Sequence, residues 1–203
     1  MTNATEMRNI CRKIARIDPV FVPAIKDLPP CKFGLEKSRI TSYQSLIRSV
    51  IAQQVSTSAA RTITSRLETK CGGSITATKV GALSLIELQS VGLTRAKVRT
   101  ISEITEASLT GAINLSSISK RSDGEIVQEL TQFFGIGRWT VEMFLIFHLG
   151  RLDVWPVDDL AVRRGWDQLH DNSEPIKPKD LDALGEPFAG MRSVVAWYCW
   201  RAS

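Results

Sequence analysis

Two short stretches hold the residue types that could carry chemistry. The first, residues 130–140 (LTQFFGIGRWT), places Gly135 and Gly137 on either side of one apolar residue, Ile136, between two apolar helical patterns. Glycine tolerates positive φ, so the chain can reverse tightly there, and Ile136 can plug the cleft between the two helices. The backbone N–H groups of such a turn, at the start of the next helix, form a ready anion site. Arg138 beside it adds a point charge. The preceding carbonyls of Thr131, Phe133 and Ile136 offer neutral oxygen donors to a monovalent cation, Na+ or K+. The second stretch, residues 154–164 (VWPVDDLAVRR), enters extended through Pro156 and opens a helix on Asp158-Asp159. A carboxylate in that position is favoured by the helix dipole and by the N–H groups of the first turn. It serves either as a plain cap or as a catalytic anion.

The elements that must position these residues read as helices, and strand signals are scarce. Apolar residues at Met7, Ile10, Cys11, Ile14 and Ile17 predict one helix, which Asp18-Pro19 ends. Residues 23–37 read as irregular, with Pro29-Pro30 as a break. Ser42 is expected to cap a helix running from Tyr43 to Gln54, striped by Leu46, Ile47, Val50 and Ile51. A second helix follows over 56–71 and stops at Gly72-Gly73. Further helices are expected at 76–81, 84–90, 94–109, 115–120 and 122–133. An apolar helix over 138–149, one starting near Asp158 or Asp159, and two closing helices at 179–186 and 190–202 complete an all-α chain of about ten helices joined by short turns.

Composition narrows the class. The chain has 203 residues, 43% of them hydrophobic, with a formal net charge of +5. That suits one or two small domains with a real core, and the mild basic excess permits a polyanionic partner without demanding one. Fibrous, disordered and membrane-spanning classes are excluded. The first residues, MTNATEMRNICRK, have no apolar segment of the secretory kind, so an intracellular protein is expected. The four cysteines, Cys11, Cys31, Cys71 and Cys199, are far apart, and the two histidines are His148 and His170. This pattern argues against a Cys/His zinc site or an iron–sulfur loop and for reduced cysteines in or near a core.

Taken together with IAQQVS at 51–56 and RSVVAWYCW at 192–200, the two stretches resemble the helix–hairpin–helix DNA glycosylase superfamily, in particular its 3-methyladenine DNA glycosylase II (AlkA-like) branch. The resemblance runs over residues 40–203. It implies two helical lobes, a central one over 40–151 and a second built from 1–39 plus 152–203, with the site in the cleft between them. The extra N-terminal β domain of larger members is not expected. By motif position the catalytic aspartate is Asp159, facing the sugar of a flipped nucleotide, with Asp158 left to cap the helix. The hairpin, through Gly135, Ile136, Gly137, Arg138 and Thr140, is expected to hold a DNA phosphate. Gln53-Gln54 sit at the turn that delivers the wedge into the duplex, with Gln54 at the wedge position. The turn from Gly92 to Lys97 is either a further phosphate contact or plain surface. Phe134 departs from the family's more frequent proline, which should alter turn rigidity and not chemistry.

Position 139 sets the expected reaction. Bifunctional relatives carry a lysine there, whose amine attacks the sugar and leads to strand cleavage. Here it is Trp139, so a monofunctional enzyme is implied, with no cofactor required and a structural Na+ or K+ at the hairpin as an option. Alkylated purines such as 3-methyladenine and 7-methylguanine carry positive charge, which an indole face attracts. The resemblance places Trp139, Trp200 and Met143, the last where the family often has tyrosine, in the base pocket, and implies double-stranded DNA as the partner, bound by a monomer. Two other readings stand beside this one. One is a non-catalytic DNA-binding module in which Asp159 is only a cap. The other is a glycosylase for mismatched thymine or uracil, or for an oxidised purine. A zinc deaminase is excluded, because the chain has no His-x-Glu and no Pro-Cys-x-x-Cys.

Overall fold

The computed structural model describes residues 2–36 and 38–203. Among them there are helices and turns and no strand, as expected of an all-α chain. No helix is long and apolar enough to cross a membrane. The chain divides into two compact units, Ser38–Phe144 and Met1–Lys37 with Leu145–Ser203. The sequence reading put the boundaries at 39/40 and 151/152. Residues 145–151 therefore belong with the terminal segments and not with the central lobe.

The unit Ser38–Phe144 is built from α3 (Ser42–Ala52), α4 (Thr57–Lys70), α5 (Ala77–Gly81), α6 (Leu85–Ser90), α7 (Arg95–Thr110), α8 (Asp123–Leu130) and α9 (Arg138–Met143). Hydroxyl side chains start most of them. Thr41, Ser56, Thr76, Ser84, Thr94 and Ser122 each accept from a first-turn N–H, satisfying donors that the helix itself cannot. The cap of α3 is thus Thr41 and not Ser42, which is its first residue. The stripe Leu46, Ile47, Val50 and Ile51 is fully buried, as are Ile101 and Ile104 of α7 and Ile126 and Leu130 of α8. Across this core the Tyr43 hydroxyl meets Thr105 Oγ1 at 2.7 Å.

The other unit holds α1 (Ala4–Ile17), α2 (Phe21–Asp27), α10 (Leu160–Leu169), α11 (Pro178–Leu184) and α12 (Arg192–Ala202). Helix α2 lies where an irregular stretch was expected. Pro23 sits in its first turn, where a missing N–H costs no bond, and Phe21 and Ala24 are buried. Lys37, at the end of that stretch, lies outside the described residues. Helix α1 packs on α12 through Cys11 Sγ, 3.4 Å from the Tyr198 hydroxyl. All four cysteines are free thiols. Burial pushes the Cys31 thiol up to about 12, so it stays protonated and inert.

The approach of α10 to α12 depends on one residue. A Cβ on Gly165 would lie 1.8 Å from the carbonyl oxygen of Cys199, so only glycine lets the two backbones touch. Gly165→Ala must push the helices apart. The expected loss is about 1–3 kcal/mol or more, the usual cost of overpacking, seen as a lower midpoint in thermal unfolding. An unchanged midpoint would refute the close crossing.

Several expected elements differ in detail. The helix read over 115–120 is a single 3-10 turn at Ile118–Lys120. The one read over 122–133 stops at Leu130, because the reversal begins there, with Phe133 N–H donating to Leu130 O and Ile136 N–H to Phe133 O. The helix read over 138–149 is α-helical only to Met143 and widens into a π-helical turn over Phe144–His148. The boundary between the two units falls inside that turn.

Candidate functional site

The hairpin joins α8 to α9. Gly135 supplies the reversal at φ +73, and a Cβ there would also meet Thr100 Oγ1 at 2.8 Å. Gly137 needs no positive φ. It is the N-cap of α9, with φ −89 and no side-chain cap, and a Cβ on it would meet nothing within 4 Å. The space around that position is open. Ile136 is the buried plug, 4% exposed. Arg138 is exposed but shares its charge, since its Nε donates to Glu142 Oε1 at 2.9 Å.

The departure at Phe134 has a structural consequence. Its N–H, which a proline would lack, donates to Glu103 Oε2 at 3.1 Å, while Arg99 Nε donates to Glu103 Oε1 at 2.8 Å and the Arg99 guanidinium lies 4.0 Å from the Phe134 ring centroid. Arg99 and then the Phe134 N–H hold the Glu103 carboxyl below the usual glutamate range. The turn is braced by an acid on α7 instead of by a ring.

Two residues of the expected DNA-contacting set, Gln53 and Thr140, bond each other within the protein. The Gln53 side chain donates through Nε2 to Gly135 O and to Thr140 Oγ1, both at 3.0 Å, and Thr140 is buried. Gln53 and Thr140 therefore tie the α3 turn to the hairpin. Gln54 does project, exposed and at φ +54, a left-handed conformation uncommon for a residue with a side chain. That separates the two glutamines, which sequence spacing alone could not. Lys97 is half-buried, and its ammonium bonds the carbonyls of Ile51 and Gln53.

For the hairpin cation, the candidate donors are neutral carbonyls, a set that suits an alkali ion better than a transition metal. Phe133 O already accepts from Ile136 N–H at 3.1 Å, and a carbonyl has a second lone pair. Among the described residues no group of three or more His, Cys, Asp or Glu could hold a metal.

The carboxylate belongs to the other unit. Asp159 is itself the N-cap of α10, with φ −72 and ψ 116. Its Oδ1 accepts from Ala161 N–H at 2.9 Å, Val162 N–H at 3.0 Å and the Trp200 indole N–H at 3.0 Å. Asp158, expected to cap, is exposed and does not. Capping and anion presentation thus fall on one residue, only 8% exposed. The extended entry is pinned from α12: Arg192 grips Asp153 through two bonds of 2.6 and 2.7 Å, and Ser193 Oγ accepts from Val154 N–H at 2.9 Å. Arg192 holds the Asp153 carboxyl below the usual aspartate range.

With this geometry in view, the comparison with known proteins is direct. The family model described as HhH-GPD superfamily base excision DNA repair protein matches residues 47–189, which include the α3 turn, the hairpin and Asp159. The chain belongs to this superfamily. It is 37% identical over 166 residues to DNA-3-methyladenine glycosylase 1 of Schizosaccharomyces pombe, covering 79% of this chain and 72% of that one. Among solved structures, S. pombe 3-methyladenine DNA glycosylase in complex with abasic DNA matches with a TM-score of 0.83 and 30% identity, over 95% of both chains. A DNA-3-methyladenine glycosidase from Bacillus halodurans matches with a TM-score of 0.84 and 29% identity, over 95% of this chain and 88% of that one.

Within this HhH-GPD chain the tryptophans separate by environment. Trp155 is core, its indole N–H on Leu181 O at 2.9 Å, and Trp166 stacks on His170 with centroids 4.1 Å apart. Trp197 bonds Pro29 O at 3.0 Å under the Arg201 guanidinium. Trp200 reaches Asp159, and Trp139 and Met143 lie on α9 in the other unit, Trp139 42% exposed. The sequence reading missed Phe147, which is 56% exposed on the π-helical turn with its ring 5.4 Å from that of Trp200. An aromatic left outside the helical core stripe, four residues after Met143, was the signal available.

Proposed function

We propose that this chain is a monofunctional DNA glycosylase that flips alkylated purines out of double-stranded DNA and cuts the base–sugar bond, leaving an abasic site in base excision repair. The observation that carries the reading is Asp159, a carboxylate oriented by three N–H donors on one oxygen, in a chain whose relatives are named as 3-methyladenine glycosylases. In the reaction the glycosidic bond breaks and its electron pair neutralises the cationic base. Positive charge builds on the deoxyribose, where Asp159 stabilises it. Water then adds at C1′ and gives up a proton. A base that is already cationic needs no acid to leave.

Each remaining residue has a part in this scheme. Gln54 fills the gap left by the flipped base, whose lost stacking would otherwise cost a few kcal/mol. The amides of Gly137, Arg138 and Trp139 hold a backbone phosphate together with the Arg138 charge. A monovalent cation at the carbonyls of Thr131, Phe133 and Ile136 would add positive charge beside that phosphate. Trp139 and Met143 on α9, and Trp200 with Phe147 in the unit that holds Asp159, are the aromatic and apolar side chains offered to the base. A monomer suffices.

The test is incubation with duplexes carrying 3-methyladenine, 7-methylguanine, hypoxanthine or uracil, followed by alkali. Alkali-labile breaks are expected at the alkylated purines, with the backbone intact until alkali is added. Borohydride should trap no protein–DNA adduct, since residue 139 offers no amine for a Schiff base. A trapped adduct would overturn the monofunctional reading, and inertness on every duplex would favour a binding module.

A further inference from the structure

Gln54 stands in a conformation that most side chains avoid, so something must hold it there. Two anchors act on the residue before it. The Gln53 side chain is fixed to the hairpin through Gly135 O and Thr140 Oγ1. The Gln53 carbonyl, which belongs to the peptide unit joining it to Gln54, accepts from Lys97 Nζ at 2.8 Å. The same ammonium donates to Ile51 O, also at 2.8 Å.

Lys97 is oddly placed for its own helix. It lies in the first turn of α7, where the dipole disfavours a cation. Its side chain instead carries the charge to the carbonyl end of α3, which a cation stabilises. The ammonium is half-buried, and burial pushes it below the usual lysine range, so the two carbonyls replace the water it has lost.

We infer that Lys97 is a positioning residue for strand opening: by fixing the peptide plane between Gln53 and Gln54, it aims the Gln54 side chain as a wedge. Gln53 locks the same turn to the hairpin, so wedge and phosphate grip move as one body. This rests on the reading of Gln54 as wedge, and the experiment separates the two claims.

The experiment is a double-mutant cycle of Lys97→Met and Gln54→Ala, read by single-turnover excision of 3-methyladenine from a paired duplex. A second readout is the fluorescence of 2-aminopurine beside an abasic analogue at saturating protein. Gln54→Ala is expected to slow excision about tenfold or more, reflecting the stacking cost it no longer offsets. Lys97→Met should slow it about 3–10-fold and lower the 2-aminopurine signal, the scale of one ordinary hydrogen bond lost. In the Gln54→Ala background Lys97→Met should have no further effect, because it acts through that side chain. A merely structural lysine would instead give effects that multiply, and that result, or wild-type excision by Lys97→Met, overturns the inference. Wild-type excision by Gln54→Ala overturns the wedge reading itself and the role of Lys97 with it. Should Lys97→Met fail to fold, Lys97→Gln, whose shorter neutral side chain gives up the charged bond to the Gln53 carbonyl, enters the same cycle with the same outcomes.

Discussion

Asp159→Asn should leave the fold and DNA binding nearly intact and slow base excision by about 10²-fold or more, the usual loss when a key electrostatic group is removed from a transition state. Ala161, Val162 and Trp200 all donate to Oδ1, and an asparagine carbonyl can accept the same three bonds. Asn and Asp are near-equal helix caps, so little stability is at stake beyond about 0.3–1 kcal/mol of dipole interaction. What disappears is the negative charge. Asp158→Asn, at an exposed position without a capping bond, should excise at close to the wild-type rate. Single-turnover excision of 3-methyladenine, with thermal unfolding as a control, reads both. Equal losses at the two positions would contradict the assignment of Asp159.

Asp159→Ala separates the two duties of this residue. It removes charge and cap together and leaves the buried N–H of Val162 without its acceptor. It should therefore lose both activity and about 1 kcal/mol of stability or more. Stability lost in Asp159→Ala but kept in Asp159→Asn, with excision lost in both, is the pattern of a residue that caps with one oxygen and acts through its charge.

How much of this was legible beforehand depended on whether a signal was local. Caps, apolar stripes and the Gly-x-Gly reversal follow from neighbouring residues, and α3 to α8 lie within a few residues of where spacing puts them. The hairpin and Asp159 were legible as types in an order. Less legible was everything that depends on a distant partner. Nothing near Asp158-Asp159 says which carboxylate turns inward, because both fit a helix start. The choice is made by Trp200, on a helix that Gly165 lets in close. Gln53 and Gln54 are likewise identical in type, and only Lys97, Gly135 and Thr140 distinguish the anchor from the wedge. The π-helical turn and Phe147 hide for another reason: the apolar pattern of 138–149 is continuous and carries no mark where the helix widens.

Trp139 offers the test of how the lesion is told from a normal base. Its indole is 42% exposed, so replacing it should cost little stability compared with a core tryptophan. The indole face attracts a cationic ring, worth about 0.5–2 kcal/mol, whereas a neutral base gains only ordinary stacking. Converted to rate, that difference is about 2–30-fold. Trp139→Ala should therefore slow excision of cationic 3-methyladenine by up to that factor more than excision of neutral hypoxanthine. Single-turnover rates on both substrates measure it, and the ratio between them cancels any general loss of folding or DNA affinity. If both rates fall equally, Trp139 shapes the pocket without reading charge, and discrimination rests on the lability of the cationic base alone. If neither falls, the ring does not face the base, and the assignment of Trp139 to base recognition is wrong.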